Sequence, residues 1–349
     1  MLVILTICSS NFLAHALTLG DSVKTHSPGS RFIIGLVDRI PASPDFKRPK
    51  YELLLVESLG IEKFDDLVRK YNVVELNTAV KPFFIEHIYR HNPEVASVIY
   101  LDPDIVVFGG LGPLVEKLRD HALLLTPHSC TTRDFPNVIS LELVMLGYGV
   151  YNLGFIATAR SETTFSFLRW WQRRLRDHCY FGRWGQFVDQ LWCTLVPLYF
   201  PKVLVVTDPG YNVCYWNLFE RRISRTADGY LVNDTFPLVF YHFSGYDPRK
   251  PETLSNRNRG ISFVDYPEAK PLTDEYRRQL MENGYESYCR LPWLLGKRAA
   301  SGGGRGGQES LADAGKRAAD TILRHCPSGM KRVMRRLAHF VARSCLTEE

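Results

Sequence analysis

The sequence predicts an α/β fold built on a mainly parallel sheet, and three features lead there. Leu2-Val-Ile-Leu-Thr-Ile7 is an unbroken apolar, β-branched run, the pattern of a strand buried on both faces. After the polar turn Cys8-Ser-Ser-Asn11, an apolar helix face (Phe12, Leu13, Ala16, Leu17, Leu19) and a second strand-like run, Arg31-Phe-Ile-Ile-Gly-Leu-Val37, complete a βαβ opening. Farther on, Val98-Ile-Tyr-Leu-Asp-Pro-Asp-Ile-Val-Val-Phe108 holds two more apolar runs around an acidic pair.

The remaining elements follow in order. Periodicity predicts helices over Tyr51 to Leu59 and Glu62 to Lys70, a short strand at Val73-Val-Glu-Leu76, and a helix from Lys81 to Arg90 after Asn77-Thr78. Leu123-Leu-Leu125, Gly154-Phe-Ile-Ala157 and Val203-Leu-Val-Val206 read as strands. Thr163 to Asp177 reads as a long helix with Trp170 and Trp171 in the core. Ser301-Gly-Gly-Gly-Arg-Gly-Gly307 is a flexible linker by composition; no Gly-Lys-Ser/Thr follows it, so it is not a phosphate loop. Residues 1–296 are therefore expected to form one catalytic unit, with 297–308 a linker and 309–349 an appended tail.

Composition narrows the classes. At 349 residues, 45% hydrophobic and 23% charged, the chain can bury a large core, and no stretch of about 18 uncharged apolar residues could span a bilayer as a helix. The net charge of +6 is localised: from Lys297 onward there are 11 Lys/Arg and 5 acids, which leaves 32 of each sign in the body. A neutral body argues against nucleic-acid binding through the main domain. Eight cysteines with no C-x-x-C pair suit a reducing, cytoplasmic setting. Met1 to Leu19, with Ala14-His15-Ala16, superficially suits a cleaved signal, but it lacks a basic leader and the first strand uses the same residues.

Chemistry is expected first at Asp102-Pro103-Asp104. Two carboxylates at i and i+2 are costly within a strand buried on both sides, so they must sit at a strand end, where the bend at Pro103 lets them converge on a hard divalent ion. His242, after the apolar Leu238-Val-Phe240 and before Ser244-Gly245, could complete such a sphere, with Arg249 or Lys250 neutralising phosphate. Asn152, before Gly154, and Asp189-Gln190, at the head of the amphipathic stretch Leu191 to Leu198, are polar where packing does not require it, although Asp189 would also serve as a helix N-cap. Tyr211-Asn-Val-Cys-Tyr-Trp-Asn217 suits a sugar-stacking surface and core packing equally.

The ordered set Tyr100-Leu-Asp-Pro-Asp104, Tyr151-Asn-Leu-Gly154, Asp189-Gln190, His242-Phe-Ser-Gly245 and Lys250-Pro251, behind the opening strand–turn–helix, resembles the type A glycosyltransferases of family 8, the group of glycogenin and the bacterial lipopolysaccharide galactosyltransferases. The likeness spans nearly all of residues 1–251. It implies a Rossmann-like domain with a mixed, mainly parallel sheet, its nucleotide-binding part at about 1–125 and its acceptor part at about 126–296. It also implies Mn2+, or Mg2+, held by Asp102, Asp104 and His242 on the diphosphate of a nucleotide sugar. Thr6, Asn11 and Phe12 then match the base-binding turn, Phe12 standing for a stacking tyrosine, while Lys81, Gly245 and Lys250 match donor contacts. Asn152 resembles the asparagine near the donor sugar, and Asp189-Gln190 the pair beside the anomeric carbon.

Such enzymes transfer with retention; inversion with Asp189 as base, or a non-catalytic carbohydrate-binding protein, are the alternatives. A sugar nucleotidylyltransferase would want a glycine-rich basic loop in place of Cys8-Ser-Ser-Asn11. Two departures stand out: the family's acidic residue in the first turn is absent, which leaves the preference for a UDP-sugar open, and the run from Gly245 to Lys250 is two residues longer than usual, which brings Arg249 forward as a phosphate contact. The expected acceptor is a surface glycan or glycolipid.

In the tail, Met330, Val333, Met334, Leu337, Phe340 and Val341 recur at helical spacing, and Lys331, Arg332, Arg335, Arg336 and Arg343 fill the other positions, a basic amphipathic helix suited to an anionic membrane surface. The full chain should therefore co-sediment with anionic liposomes in a salt-sensitive way, and a truncation after Gly296 should not. Equal binding by the full and shortened chains would move the contact elsewhere, and no binding by either would mean that the stripe packs on protein.

Overall fold

The computed structural model describes residues 1–132, 138–182, 186–258 and 260–296. The expected linker at 297–308 and the basic helix at 309–349 lie outside the described residues. Among the described residues there are twelve strands: β1 (Leu2–Cys8), β2 (Arg31–Leu36), β3 (Glu52–Leu55), β4 (Ser97–Leu101), β5 (Ile105–Val107), β6 (Leu123–Pro127), β7 (Tyr151–Ala159), β8 (Val203–Val205), β9 (Ile223–Thr226), β10 (Gly229–Val232), β11 (Phe236–Pro237) and β12 (Phe240–His242). The helices that matter below are α1 (Leu13–His26), α2 (Phe64–Lys70), α3 (Val73–Ala79), α4 (Lys81–His91), α5 (Gly112–Lys117), α6 (Val138–Tyr148), α7 (Glu162–Asp177), α8 (Gln190–Cys193), α9 (Val196–Tyr199) and α10 (Ala269–Glu282).

Seven strands form one mixed, mainly parallel sheet in the order β3-β2-β1-β4-β7-β6-β8. β7 alone runs antiparallel to its neighbours, β4 and β6. The alternation of β1 shows why its sequence is apolar at every position but Thr6. Ile4 and Cys8 enter a core beneath α1 and α10, whereas Val3, Leu5 and Ile7 enter a second core beneath α4 and α7. Both faces are covered, so no polar alternation survives. Trp170 and Trp171 of α7 are buried in the second core, as expected.

β1 feeds β2 on one side, and the chain later returns to the other side of β1 as β4, parallel to it. Connections diverge between β1 and β4, and a crevice opens at the carboxyl ends of those strands, where ligands bind in open α/β sheets. Cys8 to Phe12 and Asp102 are the residues at that rim.

Two expected elements differ. Tyr51 to Leu59, expected to be helical, is the edge strand β3 followed by a 3-10 turn over Val56–Leu59. A leucine run this short satisfies both periods, and pairing with β2, Ile33 opposite Glu52 through Leu36 opposite Leu55, settles it. Val73-Val-Glu-Leu76, expected to be a strand, begins α3. The Asn72 side chain accepts from the Val74 and Glu75 amides (2.9 and 3.0 Å), and the Glu75 carboxylate accepts from the Asn72 amide (2.9 Å). That capping box outweighs the β preference of two valines.

No helix among the described residues is long and apolar enough to cross a membrane. The buried thiols of Cys8, Cys179, Cys193 and Cys214 are pushed up by burial and pack as small hydrophobes.

His15, on the buried face of α1, stacks on Phe12 at 4.4 Å between centroids, meets Tyr276 and Tyr285 edge-on, and has no partner for Nδ1 among the described residues. Burial pulls its imidazole down to about 4 from an ordinary 6.5, against the opposing pull of Asp104 and Asp247. The unfolded chain therefore takes up a proton below 6.5 that the folded chain refuses until about 4, so the contribution of His15 to stability is present above 6.5 and lost as pH falls through that window. The loss is about 3 kcal/mol. Denaturant unfolding at pH 7 and pH 4 should show a shallower acid decline for His15→Phe than for the parent; parallel declines would contradict this.

Candidate functional site

The site begins at a corner. Beyond Leu101 the Asp102 amide still reaches across to the Gly154 carbonyl of β7 (2.8 Å), the last bond of that ladder, and the Ile105 amide then returns to the Asp102 carbonyl (3.1 Å) as the chain turns at Pro103. It leaves the main sheet as β5, which pairs antiparallel with β12 so that His242 lies opposite Ile105. The Phe243 amide closes the ribbon on the Asp104 carbonyl (2.8 Å). This register alone brings a histidine some 140 residues away in sequence against the acidic pair. His242 Nε2 lies 3.1 Å from Asp104 Oδ1 and 3.9 Å from Asp102 Oδ2.

One ligand atom from each of Asp102, Asp104 and His242 falls within 4.8 Å of the other two, so the group could hold a metal ion. Burial alone would raise the Asp104 carboxyl, but His242 outweighs it and holds the group below the usual carboxylate range. Burial would likewise lower His242, and Asp104 reverses that, so the imidazole is held above its ordinary value. Two carboxylates and an imidazole form a mixed oxygen and nitrogen donor set that fits Mn2+ and its borderline neighbours. The sequence-predicted trio is thus one cluster.

Beside it lies a buried ammonium. Lys81, at the start of α4 and 2% exposed, has Nζ 2.9 Å from Asp189 Oδ2 and 3.5 Å from Asp102 Oδ1. It donates to the Leu153 carbonyl (3.0 Å) and sits 4.5 Å from the centre of the Tyr100 ring, whose hydroxyl donates to Asp102 Oδ1 (2.5 Å). Burial would pull Lys81 down; Asp102 and Asp189 outweigh it and hold the ammonium well above its ordinary value. Burial raises the Asp189 carboxyl and Lys81 opposes it, the net direction being upward. Asp189 occupies the N-cap position of α8 but caps nothing with its side chain. Its carboxylate is directed to Lys81 and hence toward Asp102.

Asn152 is reached through Gly154. The Asn152 Oδ1 accepts from the Gly154 amide (3.1 Å), and a Cβ on Gly154 would come within 2.5 Å of His242 Cε1 and 2.8 Å of Asn152 Oδ1. The Asn-Leu-Gly spacing is therefore a close approach: glycine is needed so that imidazole and amide can share one side of β7. Gln190, by contrast, donates to the Tyr148 carbonyl at the end of α6 (2.8 Å) and packs its backbone on Gly149.

At the other lip, Thr6 is buried in β1 with no partner for Oγ1 among the described residues, Asn11 Oδ1 accepts from the Ser9 hydroxyl (2.6 Å), and Phe12 is 41% exposed on top of His15. Gly245 turns with φ at +73°, three residues after His242. Arg249 and Lys250 do not reach the acidic cluster. Arg249 grips Asp247 through Nε and one terminal nitrogen (2.9 and 3.0 Å), and Lys250 lines a cavity of about 460 Å³ with Glu252, Thr253, Asn256 and Ser262.

Sequence reasoning missed Asp38 and left the role of Asn212 open. Asp38, after β2, is buried and accepts from the amides of Ser10 (3.2 Å), Arg39 (2.9 Å) and Leu294 (2.7 Å), tying the first turn to the end of the described chain. An acid closing an apolar strand was its only signal. Asn212, left-handed at φ +55°, donates to Asn152 Oδ1 (3.1 Å) and Thr126 Oγ1 (2.9 Å). Its neighbours Tyr211 and Trp216 are buried, and Trp216 meets the His242 ring edge-on at 5.3 Å, so this aromatic and amide stretch packs as core that braces the site.

No protein-family model matches the chain. It is 28% identical over 244 residues to the uncharacterized protein YfnF of Bacillus subtilis (strain 168), spanning 69% of this chain and 80% of that one. To the uncharacterized protein YfnD of the same organism it is 25% identical over 170 residues, 48% and 52% of the two chains. Among solved structures it is similar to the galactosyltransferase LgtC in complex with donor and acceptor sugar analogs, with a TM-score of 0.45 and 16% identity over 83% of this chain and 97% of that one. A second similar structure is the glycosyltransferase GlyE of Streptococcus pneumoniae TIGR4, with a TM-score of 0.45 and 14% identity over 82% and 64%.

Removing the Lys81 charge leaves the buried Asp189 carboxylate beside Asp102 without a counter-charge. Lys81→Met should cost about 3 kcal/mol of stability, and the double variant with Asp189→Asn should recover a good part of it, because the cost is the stranded charge rather than the lost contact. A double-mutant cycle in denaturant measures this; additive losses would mean that Lys81 and Asp189 act independently.

Proposed function

We propose that the chain is a metal-dependent glycosyltransferase that moves a sugar from a nucleotide-diphosphate donor, a UDP-sugar first among them, to a glycan or glycolipid acceptor with retention of anomeric configuration. The observation that carries the reading is the convergence of Asp102, Asp104 and His242 on one point at the rim of the β1–β4 crevice, with the buried Lys81–Asp189 pair beside it. Of the ordered motifs that resemble family 8, the acidic pair, Asn152 with Gly154, Asp189 and His242 support this reading.

A bound Mn2+ or Mg2+ would supply Lewis-acid neutralisation of the donor diphosphate, held by Asp102, Asp104 and His242. The protein's own groups do the rest. Thr6, Asn11 and Phe12, on the turn that Asp38 braces, would receive the base, Phe12 offering an exposed ring face for stacking. As the bond from the anomeric carbon to the diphosphate oxygen breaks, its electron pair passes to the diphosphate and positive charge grows on the sugar. The Asp189 carboxylate, fixed by Lys81 rather than by water, would stabilise that charge without reorganising. Asn152, locked by Asn212 and Gly154, would orient the donor sugar while the acceptor hydroxyl attacks from the face the diphosphate leaves and gives its proton to the departing diphosphate oxygen.

The reading is tested by screening nucleotide sugars for release of nucleoside diphosphate with Mn2+, and by Asp104→Ala. That variant should keep its thermal midpoint, lose at least about 100-fold in turnover, and show no high-affinity Mn2+ site by electron paramagnetic resonance. Undiminished activity in chelator, or full Mn2+ binding by the variant, would overturn it.

A further inference from the structure

The sequence leaves the cation for the donor diphosphate to Arg249 or Lys250, and the fold commits neither to the acidic cluster: Arg249 is held by Asp247, and Lys250 opens onto the cavity beside Glu252. Another arginine is laid against the turn that follows His242 by the next loop. The Ser255 hydroxyl donates to the Ser244 carbonyl (2.8 Å), the Asn256 amide donates to the Gly245 carbonyl (2.9 Å), and the Arg257 amide donates back to the Ser255 hydroxyl (3.1 Å). Residues 255–257 are thereby laid directly on the Ser244-Gly245 turn that ends the His242 strand.

Contact is close enough to constrain the sequence. A Cβ on Gly245 would lie 2.6 Å from Arg257 Cγ and from Ser255 Oγ, so glycine at this position, besides meeting its positive φ, leaves room for the arginine stem to cross the turn. The Arg257 charge also reaches Tyr215. Burial pushes the Tyr215 phenol up, and the Arg257 charge is among the groups that oppose it. Tyr215 meets Trp216 at 5.2 Å between ring centres, and Trp216 in turn meets His242 at 5.3 Å. Arg257 is exposed and enters no ion pair among the described residues.

We propose that Arg257, rather than Arg249 or Lys250, is the guanidinium that binds the donor diphosphate across from the Asp102, Asp104 and His242 group. This rests on the nucleotide-sugar reading above. A planar fork with five donors pairs two phosphate oxygens at once, which a lysine cannot do, and it faces the charge that grows on the diphosphate as the sugar departs.

The test is calorimetric titration of the full chain, with Mn2+ present, against UDP, GDP and ADP and against the corresponding nucleosides. Arg257→Gln should weaken binding of whichever diphosphate the parent prefers by about tenfold or more, leave the nucleoside unchanged, and be partly rescued by Arg257→Lys. Arg249→Gln and Lys250→Gln should stay within about twofold of the parent. Parent-like binding by Arg257→Gln, or an equal loss for nucleoside and diphosphate, overturns the assignment while leaving the nucleotide reading intact. A parent that binds none of the diphosphates overturns both.

Discussion

An ammonium ion sealed from water between two carboxylates is the constraint around which this site is arranged. Lys81 is buried at the first turn of α4, and Asp189 and Asp102 approach it from the head of α8 and the end of β4. Neither Lys81 nor Asp189 could be taken out of water alone, while Asp102 keeps one edge to solvent. Desolvating either charge costs several kcal/mol, and the attraction between them and to Asp102, with the Leu153 carbonyl and the Tyr100 hydroxyl meeting further valences, makes the arrangement tolerable. The consequence is positional: three elements far apart in sequence are held in one geometry, and Asp102 is presented to His242 with one oxygen while the other faces Lys81.

The second constraint is the corner at Pro103. Leaving the seven-stranded sheet there lets β5 pair with β12, and it separates two jobs that a single continuous strand could not combine. β4 remains fully buried and rigid, whereas Asp104 is free to meet the imidazole. Gly154 and Asn212 belong to the same logic. One makes space where His242 and Asn152 approach, the other accepts a left-handed backbone in order to fix the Asn152 amide. Among the described residues, the site's side chains are held in place by close packing and hydrogen bonds.

Much of this was legible in the residues. The β1 run, the βαβ opening, the long α7 and the strand–acid–strand pattern at 98–108 each carry a local signal strong enough to read, because burial on both faces leaves an apolar run with nothing else to be. The misread segments were short. Val73-Val74 has a β preference that the Asn72–Glu75 capping box overrides, and the leucines of β3 obtain their conformation from the neighbouring strand β2. Of the site, the acids and the histidine were legible as polar groups at the ends of apolar runs. Asp38 was not, because its three amide partners come from residues 10, 39 and 294.

The sequence by itself determined the class of fold, the acidic corner and the candidate ligands, since hydrophobic period, strand-end polarity and proline bends are properties of neighbouring residues. Only the tertiary structure decided which charges meet. That Asp189 faces Lys81 instead of capping α8, that Arg249 is spent on Asp247, and that Arg257 lies across Gly245 all depend on strand register and on loops folding back over one another. Electrostatic partnership is a function of distance in space, and a linear pattern carries no record of it until the sheet has set the distances.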